Sequence, residues 1–333
     1  MRKNKNMYEF TYYNANSLNS ENEYNHNSGK NKSLIISIII IAIFISLIVA
    51  YFLFLGKDKT LTTVSSVITQ EVDEQNQLEQ KQKIEAEKKE QERLEQERLK
   101  KEEEERKARE AKLPKLTEEG IQNLENIYHS DEKRVFLTFD DGPSPVTNQI
   151  LDTLKENNIK ATFFVLGTSV KAFPETTKKI YDEGHFIANH GYSHVYSSIY
   201  SSKEAVLDEY NRCNDAVKEV IGEPEYNSHL FRFPGGLPGG KYADLKQEAK
   251  QLLNENGILN IDWNALSGDA EKQNPTPEYL MERIQVTSEG KNSIVVLMHD
   301  ASAKKATADL LPEIIKFYKD QGYEFKTFYD IIK

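Results

Sequence analysis

The feature that most constrains this chain is an uncharged apolar run at residues 34–55. A helix of about 22 residues is long enough to cross a hydrocarbon core of about 30 Å. A buried core helix is the alternative, but the run has no polar face and no second apolar run of similar length lies nearby. A cleavable signal peptide has a shorter apolar region and a small-residue cleavage site, and neither is clear here. We therefore predict an uncleaved transmembrane signal anchor over 34–55.

Basic residues indicate how this span is oriented. They are Arg2, Lys3, Lys5, Lys30 and Lys32 before the run and Lys57 and Lys59 directly after it. Because positive charge favours the cytoplasmic side, we predict a single-pass cell-membrane protein with a cytoplasmic N-terminus and an extracytoplasmic remainder. Residues 1–33 are rich in Asn, Ser, Tyr and Lys and lack aliphatic periodicity, which predicts a disordered cytoplasmic tail.

A charged segment within residues 56–131 predicts a long helix. Glu, Lys, Gln and Arg dominate from about Gln70 to Lys112, with opposite charges at i,i+4. The few apolar residues do not hold a heptad, which disfavours a coiled coil. We predict a linker and a solvated helical stalk, about 65 Å long at 1.5 Å per residue. Weak self-association through a coiled coil is the alternative.

Composition excludes one class of partner. The net charge is −10, whereas a nucleic-acid-binding protein needs a basic face to neutralise phosphates. We therefore expect no nucleic-acid partner. Cys213 is the only cysteine, so no intrachain disulfide can form and stability must come from packing.

An α/β domain is predicted over residues 132–333, where apolar strand-like runs alternate with helical patterns. The strand candidates are 135–139, 161–166, 185–188, 229–233, 258–262 and 294–298. The helix candidates are 145–157, 174–183, 203–221, 241–256, 276–288 and 307–321. Several runs are too apolar to be half-exposed, as in parallel strands covered by helices. The alternation predicts a barrel or a doubly wound sheet, with functional residues just past the strands' carboxyl ends.

Two pairs of side chains have metal-binding chemistry. Asp140 and Asp141 directly follow the strand candidate 135–139, and adjacent carboxylates can divide into a cation ligand and a proton acceptor. An Asp-Asp-Gly turn is also a common loop cap. His190 and His194 stand four apart, a spacing from which two imidazoles on a helical turn can reach one cation. A hydrogen-bonded surface pair is the alternative.

Two further candidates stand at strand ends. Arg232 precedes a Pro234-Gly235 turn and fits a guanidinium that orients a carboxylate beside a backbone N–H donor. A solvated arginine in an ordinary loop is the other interpretation. His299 ends an apolar strand candidate and fits either a general acid or a surface histidine paired with Asp300.

Together these segments, over about residues 133–333, resemble the polysaccharide deacetylase family, the NodB-homology domain of carbohydrate esterase family four. The matching motifs are Thr-Phe-Asp-Asp-Gly at 138–142, the His-x-x-x-His pair His190 and His194, the arginine–proline motif with Arg232 and Pro234, and the Leu-x-His motif with Leu297 and His299. One position departs from the pattern, because Gly235 stands where the family commonly has an aromatic residue. That change keeps a backbone N–H and removes a pocket wall.

The resemblance implies a distorted (β/α) barrel and a metal-dependent hydrolase. The implied ligands of a divalent cation, usually zinc with cobalt, nickel or manganese as alternatives, are Asp141, His190 and His194. The implied catalytic residues are the base Asp140, its partner Arg232 and the acid His299. In such a site the base takes a proton from water and the acid gives one to the leaving amine.

The resemblance also implies contacts to substrate and oxyanion. These residues are Pro234, Gly235, Leu297, Asp269 and Trp263. The family's fourth motif is imperfect here, since only Asp269 keeps its register within 262–270. Asp269 would support the acid histidine, and Trp263 would be a pocket wall or a core residue.

The predicted extracytoplasmic location of the catalytic domain favours one class of substrate, cell-wall glycan. A hydrolase held outside the membrane on a stalk lies where cell-wall polymer is, so we expect de-N-acetylation of N-acetylglucosamine in peptidoglycan, with release of acetate. Two alternatives stay open. One is a deacetylase or esterase acting on chitin-type or O-acetylated polysaccharide, and the other is a catalytically weakened scaffold that binds wall glycan.

Overall fold

The computed structural model describes residues 36–37, 39–51, 53–54, 58–111 and 113–332. The tail predicted at 1–33 lies outside these ranges, and the span predicted at 34–55 lies partly outside them. Within the described ranges, no helix combines the length and the apolarity that crossing a bilayer requires. The anchor and the tail therefore stay predictions.

The charged helix expected at about 70–112 is observed as α1, Asp58–Glu110. Its surface carries ion pairs one turn apart, such as Lys89 Nζ to Glu85 Oε1 at 2.8 Å. Both partners are exposed, so water and salt weaken each pair and none contributes much to stability. Two compact units divide between residues 103 and 104, and every predicted site residue belongs to the second.

In the second unit, helices alternate with parallel strands. The helices are α2 (Glu118–Glu125), α3 (Pro145–Glu156), α4 (Gly167–Ala172), α5 (Pro174–Asp182), α6 (Tyr196–Ile199), α7 (Lys203–Ile221), α8 (Ala243–Glu255), α9 (Pro277–Ser288), α10 (Lys305–Asp320) and α11 (Tyr329–Ile332). The strands are β1 (Arg134–Asp140), β2 (Thr162–Val165), β3 (Phe186–Asn189), β4 (Leu230–Phe231), β5 (Leu259–Asn260), β6 (Ala265–Leu266), β7 (Ser293–His299) and β8 (Glu324–Lys326). The two strands that were not predicted, β6 and β8, are too short for a periodic pattern to show.

One sheet contains all eight strands of the described chain. Seven of them follow the order β5-β4-β3-β2-β1-β7-β6, and β8 lies off this path and pairs with β1. β1 pairs along its whole length with β7, from Arg134 opposite Ser293 to Asp140 opposite His299. Its other edge pairs with β8 near the start and with β2 near the end. Every pairing is parallel, and β5 and β6 do not pair, so the sheet is an incomplete barrel, in keeping with the distorted (β/α) barrel that the family resemblance implied.

Both faces of β1 are buried. Val135, Leu137 and Phe139 pack in a cluster with the covering helices. Phe136 points the other way, into a second cluster, and stacks on Phe328 with ring centroids 5.1 Å apart. Because side chains alternate along a strand, the even-numbered face that begins with Phe136 continues to Asp140 at the strand end.

Candidate active site

Four strands bring reactive side chains to one edge of the sheet. β1 ends at Asp140 and precedes Asp141, β3 ends just before His190, β4 ends just before Arg232, and β7 ends at His299. Asp140 and His299 lie directly opposite each other in the β1–β7 register. The carboxyl ends of parallel strands meet at the same edge, which is why residues far apart in sequence converge here.

Asp141, His190 and His194 form a group, here named the ligand cluster, whose ligand atoms lie within 4.8 Å of one another. Asp141 Oδ1 is 3.5 Å from His190 Nε2 and 3.4 Å from His194 Nε2. Asp141 and His194 have φ of 74° and 57°, left-handed values that are unfavourable for non-glycine residues. The surrounding structure must hold both residues in these conformations, which turn their side chains toward a shared centre.

Hydrogen bonding shows that the ligand cluster fits a cation. The Nδ1–H of His190 donates to the Arg232 carbonyl oxygen at 2.7 Å, so the neutral ring presents its Nε2 lone pair to Asp141. Burial lowers the pKa of His190 to about 3, and the contact with Asp141 is therefore not an ion pair. Asp141 Oδ1 is buried and has no hydrogen-bond partner among the described residues. Two acceptors that face each other at this distance need a positive charge between them, and a carboxylate with two imidazoles suits a divalent cation.

Glu209, which the sequence did not single out, fixes the histidine loop. Its Oε2 accepts hydrogen bonds from the backbone N–H groups of Tyr192 at 2.7 Å and Ser193 at 2.6 Å, and its Oε1 accepts from the Ser193 hydroxyl at 2.8 Å. Glu209 lies on the buried face of α7, with Val206 and Tyr210. A carboxylate on the apolar stripe of an amphipathic helix is the signal that could have revealed it.

Asp140 and Arg232 form a buried pair next to the ligand cluster. Arg232 Nη1 is 2.8 Å from Asp140 Oδ1 and also donates to the Thr138 hydroxyl, while the other guanidinium nitrogens donate to two backbone carbonyl oxygens. Burial raises the pKa of Asp140, against the opposing charge of Arg232. Asp140 Oδ2 lies 3.9 Å from His190 Nε2, so the second carboxylate oxygen faces the ligand cluster.

His299 is paired with Asp269 and not with Asp300. The His299 Nδ1–H donates to Asp269 Oδ1 at 2.7 Å, and Asp269 Oδ2 accepts from the His299 backbone N–H and the Thr307 hydroxyl. Burial lowers the pKa of His299, but the hydrogen bond and charge of Asp269 outweigh it and raise that pKa to about 9. His299 therefore carries a proton at neutral pH. Asp300 accepts from the Thr147 hydroxyl at 2.6 Å instead.

The proline–glycine turn and the end of β7 lie beside these pairs. Leu297 shares a face of β7 with His299, two residues away. The Pro234 carbonyl oxygen accepts a hydrogen bond from the Tyr200 hydroxyl at 2.7 Å. Gly235 is exposed with φ of 76°, and its N–H donates to no other residue of the described chain. That N–H is available to a ligand.

Trp263 has a different environment from the other predicted contacts. Its ring centroid lies 5.7 Å from the Arg232 guanidinium carbon, and a Cβ on Gly236 would meet it at 3.0 Å. With Tyr128 and Pro238 it lines a separate cleft of about 490 Å³. The structure therefore gives Trp263 packing contacts, and its role as a pocket wall stays a prediction.

Comparisons with known proteins indicate the family of this chain. The family model described as polysaccharide deacetylase matches residues 128–257. A peptidoglycan-N-acetylglucosamine deacetylase of Bacillus cereus is 32% identical over 208 residues, which cover 61% of this chain and 72% of the relative. A peptidoglycan-N-acetylmuramic acid deacetylase of Bacillus subtilis is 33% identical over 204 residues, which cover 61% of this chain and 39% of the relative.

A solved structure extends the likeness to the fold. The CE4 esterase of Streptococcus mutans has a TM-score of 0.56 and 33% identity, covering 64% of this chain and 92% of that one. The chain therefore belongs to the polysaccharide deacetylase family, and the family resemblance inferred from its motifs is confirmed. It is a hydrolase of the class that acts on carbon–nitrogen bonds other than peptide bonds.

Proposed function

We propose that this chain removes acetyl groups from N-acetylglucosamine residues of cell-wall peptidoglycan, releasing acetate and leaving free amines. The observation that carries the proposal is the ligand cluster, with the Asp140–Arg232 and Asp269–His299 pairs at the same edge of the sheet. Both relatives described above are named as peptidoglycan deacetylases, which supports a peptidoglycan substrate. Because the Bacillus subtilis relative is named for N-acetylmuramic acid, that sugar is the one to test against N-acetylglucosamine.

The ligand cluster would hold a divalent cation. One aspartate and two histidines suit zinc, and cobalt, nickel and manganese are accepted by similar donor sets. When bound, the cation supplies Lewis-acid chemistry, which polarises the acetyl carbonyl and makes water a stronger acid.

The residues around the ligand cluster would move the protons. Asp140 takes a proton from the attacking water through Oδ2, while Arg232 holds Oδ1 and fixes the carboxylate plane. The exposed N–H of Gly235 donates to the developing oxyanion, a contribution of about 3–4 kcal/mol in comparable sites. His299 then protonates the leaving nitrogen, because Asp269 occupies its Nδ1 and leaves Nε2 to act as the donor.

Acetate release and metal content of the full-length chain test this proposal. On N-acetylglucosamine oligomers, we expect Asp140→Asn to retain metal and lose activity, whereas His190→Ala loses both. The matched controls are Asp152→Asn and His129→Ala, two exposed residues that should keep both properties. Absence of acetate release by the metal-loaded wild type on peptidoglycan and on these oligomers would refute the proposal.

Two alternatives are separated by product analysis. Mass spectrometry of wall fragments reports free amine on glucosamine or muramic acid, while acetate released only from chitin oligomers or acetylated xylan would move the substrate to those polymers. A weakened glycan-binding scaffold would bind oligomers without releasing acetate. The hydrogen bond between Asp269 and His299 weighs against that scaffold, because it keeps the imperfect fourth motif joined to the acid.

We also propose the membrane placement that the sequence predicts. A cytoplasmic tail at 1–33, an anchor at 34–55 and a stalk within 56–131 would present the catalytic domain at 132–333 to the wall, with weak self-association through the stalk as a further property. The apolar run and the basic residues before it support this arrangement. Protease added to cells stripped of wall should remove 132–333 and spare 1–33. Full protection of both ends would refute the orientation.

A further inference from the structure

Tyr196 lies between the ligand cluster and the turn that carries the proposed oxyanion donor. It begins α6, two residues after His194, and the two ring centroids are 5.4 Å apart. A Cβ placed on Gly235 would meet the Tyr196 hydroxyl oxygen at 2.7 Å. The tyrosine therefore occupies the space that a side chain at position 235 would take. Tyr196, which belongs to α6, therefore supplies an aromatic side chain at the Pro234-Gly235 turn, where position 235 has no side chain.

The outer part of Tyr196 is open to a ligand. The residue is 40% exposed, so part of its side chain faces solvent beside the ligand cluster. Its hydroxyl forms no hydrogen bond with any residue that the structure describes, so both its donor and its acceptor capacity remain available. Ligand sites combine such aromatic surfaces with a few polar groups that fix orientation.

Neighbouring side chains fix the position of this ring. Tyr200 packs against Tyr196 in a T-shaped contact, with centroids 5.5 Å apart. Tyr200 is itself buried, donates its hydroxyl to the Pro234 carbonyl oxygen and lies under Lys246 Nζ, which is 5.1 Å from its ring centroid. A ring held in this way loses little conformational entropy when a ligand binds.

We propose that Tyr196 contacts the N-acetylated glycan next to the scissile bond. Its ring packs on the apolar face of the hexosamine whose acetamide lies at the ligand cluster, and its hydroxyl donates to an oxygen of that sugar or of the acetamide. The inference rests on the proposed function, because the sugar lies there only if the acetamide does. It also explains the glycine at 235, since any side chain there would displace the tyrosine hydroxyl and strain a left-handed backbone.

Steady-state kinetics of three full-length variants test the contact. For acetate release from N-acetylglucosamine oligomers, we expect Tyr196→Ala to raise KM about tenfold, the effect of losing one aromatic contact, with kcat within about twofold. Tyr196→Phe keeps the ring, so its KM should rise about threefold. Val195→Ala, the exposed neighbour in the same loop, should match wild type and controls for loop disturbance.

Equilibrium binding separates this inference from the proposed function. The dissociation constant of an N-acetylglucosamine tetramer is measured on Asp140→Asn with and without Tyr196→Ala, together with the metal content of each protein. We expect about tenfold weaker binding at unchanged metal content. Equal dissociation constants, or a loss of metal in Tyr196→Ala, would overturn the contact even if wild type releases acetate. Failure of wild type to release acetate would refute the deacetylase proposal, and the binding comparison would still decide the role of Tyr196.

Discussion

The two carboxylate pairs beside the ligand cluster look alike and differ in which partner can exchange a proton. Arg232 is completely buried, its guanidinium nitrogens are all hydrogen-bonded, and arginine does not deprotonate in proteins, so only Asp140 can act. In the other pair, Asp269 has both oxygens occupied, so only His299 can act. In each pair, the partner that can exchange a proton is the one whose chemistry and hydrogen bonds leave it free to do so: Asp140 beside a permanently charged guanidinium, and His299 beside a carboxylate with both oxygens occupied.

The largest effect is expected when the positioning cation of the first pair is removed. Arg232→Met leaves Asp140 buried without a partner, so the free energy of unfolding should fall by about 3–5 kcal/mol. Acetate release should fall about 10³-fold, because the base is no longer held. Denaturant titration and kinetics measure the two effects. Arg283→Met, which breaks a partly exposed pair with Glu271, is the matched control and should show neither. Normal activity in Arg232→Met would mean that Arg232 only packs.

Removing the charge of the second pair should shift a pH profile. In wild type, His299 is protonated below its pKa of about 9, so the rate should fall as pH rises through that value. In Asp269→Asn no carboxylate counteracts the lowering of the His299 pKa by burial, so that pKa should return to its ordinary 6.5 or below. The alkaline fall in kcat should therefore move down by about two and a half pH units or more, with a loss of about thirtyfold or more at pH 8.

His299→Gln is the control for that profile. It should be slow at every pH and should lack the alkaline limb, because the titrating acid is gone. An unchanged alkaline fall in kcat for Asp269→Asn would show that His299 does not supply the proton. The comparison between the two pairs would then fail, because the second pair would have no proton-exchanging partner.

A smaller effect is expected from the carboxylate that supports the ligands. Glu209→Gln keeps the shape of the side chain and weakens its hydrogen bonds to the histidine loop, so metal affinity should fall about tenfold. Competition with a chelator measures this. Glu204→Gln, near the start of the same helix, should bind metal as wild type does. Wild-type affinity in Glu209→Gln would show that the loop holds its own shape.

The smallest effect is expected from an ion pair on the charged helix. Lys89→Ala removes the contact with Glu85, which is exposed on both sides, and should change neither helix content nor the unfolding midpoint measurably. Circular dichroism measures both. A clear loss of helix would show that the exposed pairs of α1 act together, in contrast to the buried pairs of the sheet edge.

The sequence predicted more of the site than of the sheet. Asp140, His190 and His299 could be placed at one edge because each lies within two residues of the end of an apolar run, and parallel strands share their carboxyl edge. The family motifs then identified the class of enzyme, which the comparisons confirm. The assigned roles of the individual site residues stay predictions that the experiments above address.

Other features lay beyond sequence reasoning for physical reasons. Strands of two or three residues, such as β6 and β8, leave no periodic signal, and their pairing depends on neighbours distant in sequence. Glu209 is one of many acids in a charged chain, and its place on the apolar stripe of α7 is a weak signal until the structure shows that it is buried and which backbone groups it binds. The proposed role of Tyr196 depends on the close approach of its hydroxyl to Gly235, a tertiary contact that the sequence at neither position indicates.

The alternation along β1 has a consequence for how this domain can vary. Phe136 in the interior cluster, Thr138 next to the Arg232 guanidinium and Asp140 at the strand end are spaced two apart, so one face of β1 carries both hydrophobic packing and the proposed general base. Inserting or deleting a single residue within β1 would turn Asp140, the proposed general base, toward the covering helices and would place a carboxylate at a buried position that Phe139 now occupies. Length changes are therefore confined to the connecting loops, while this strand must keep its residue count.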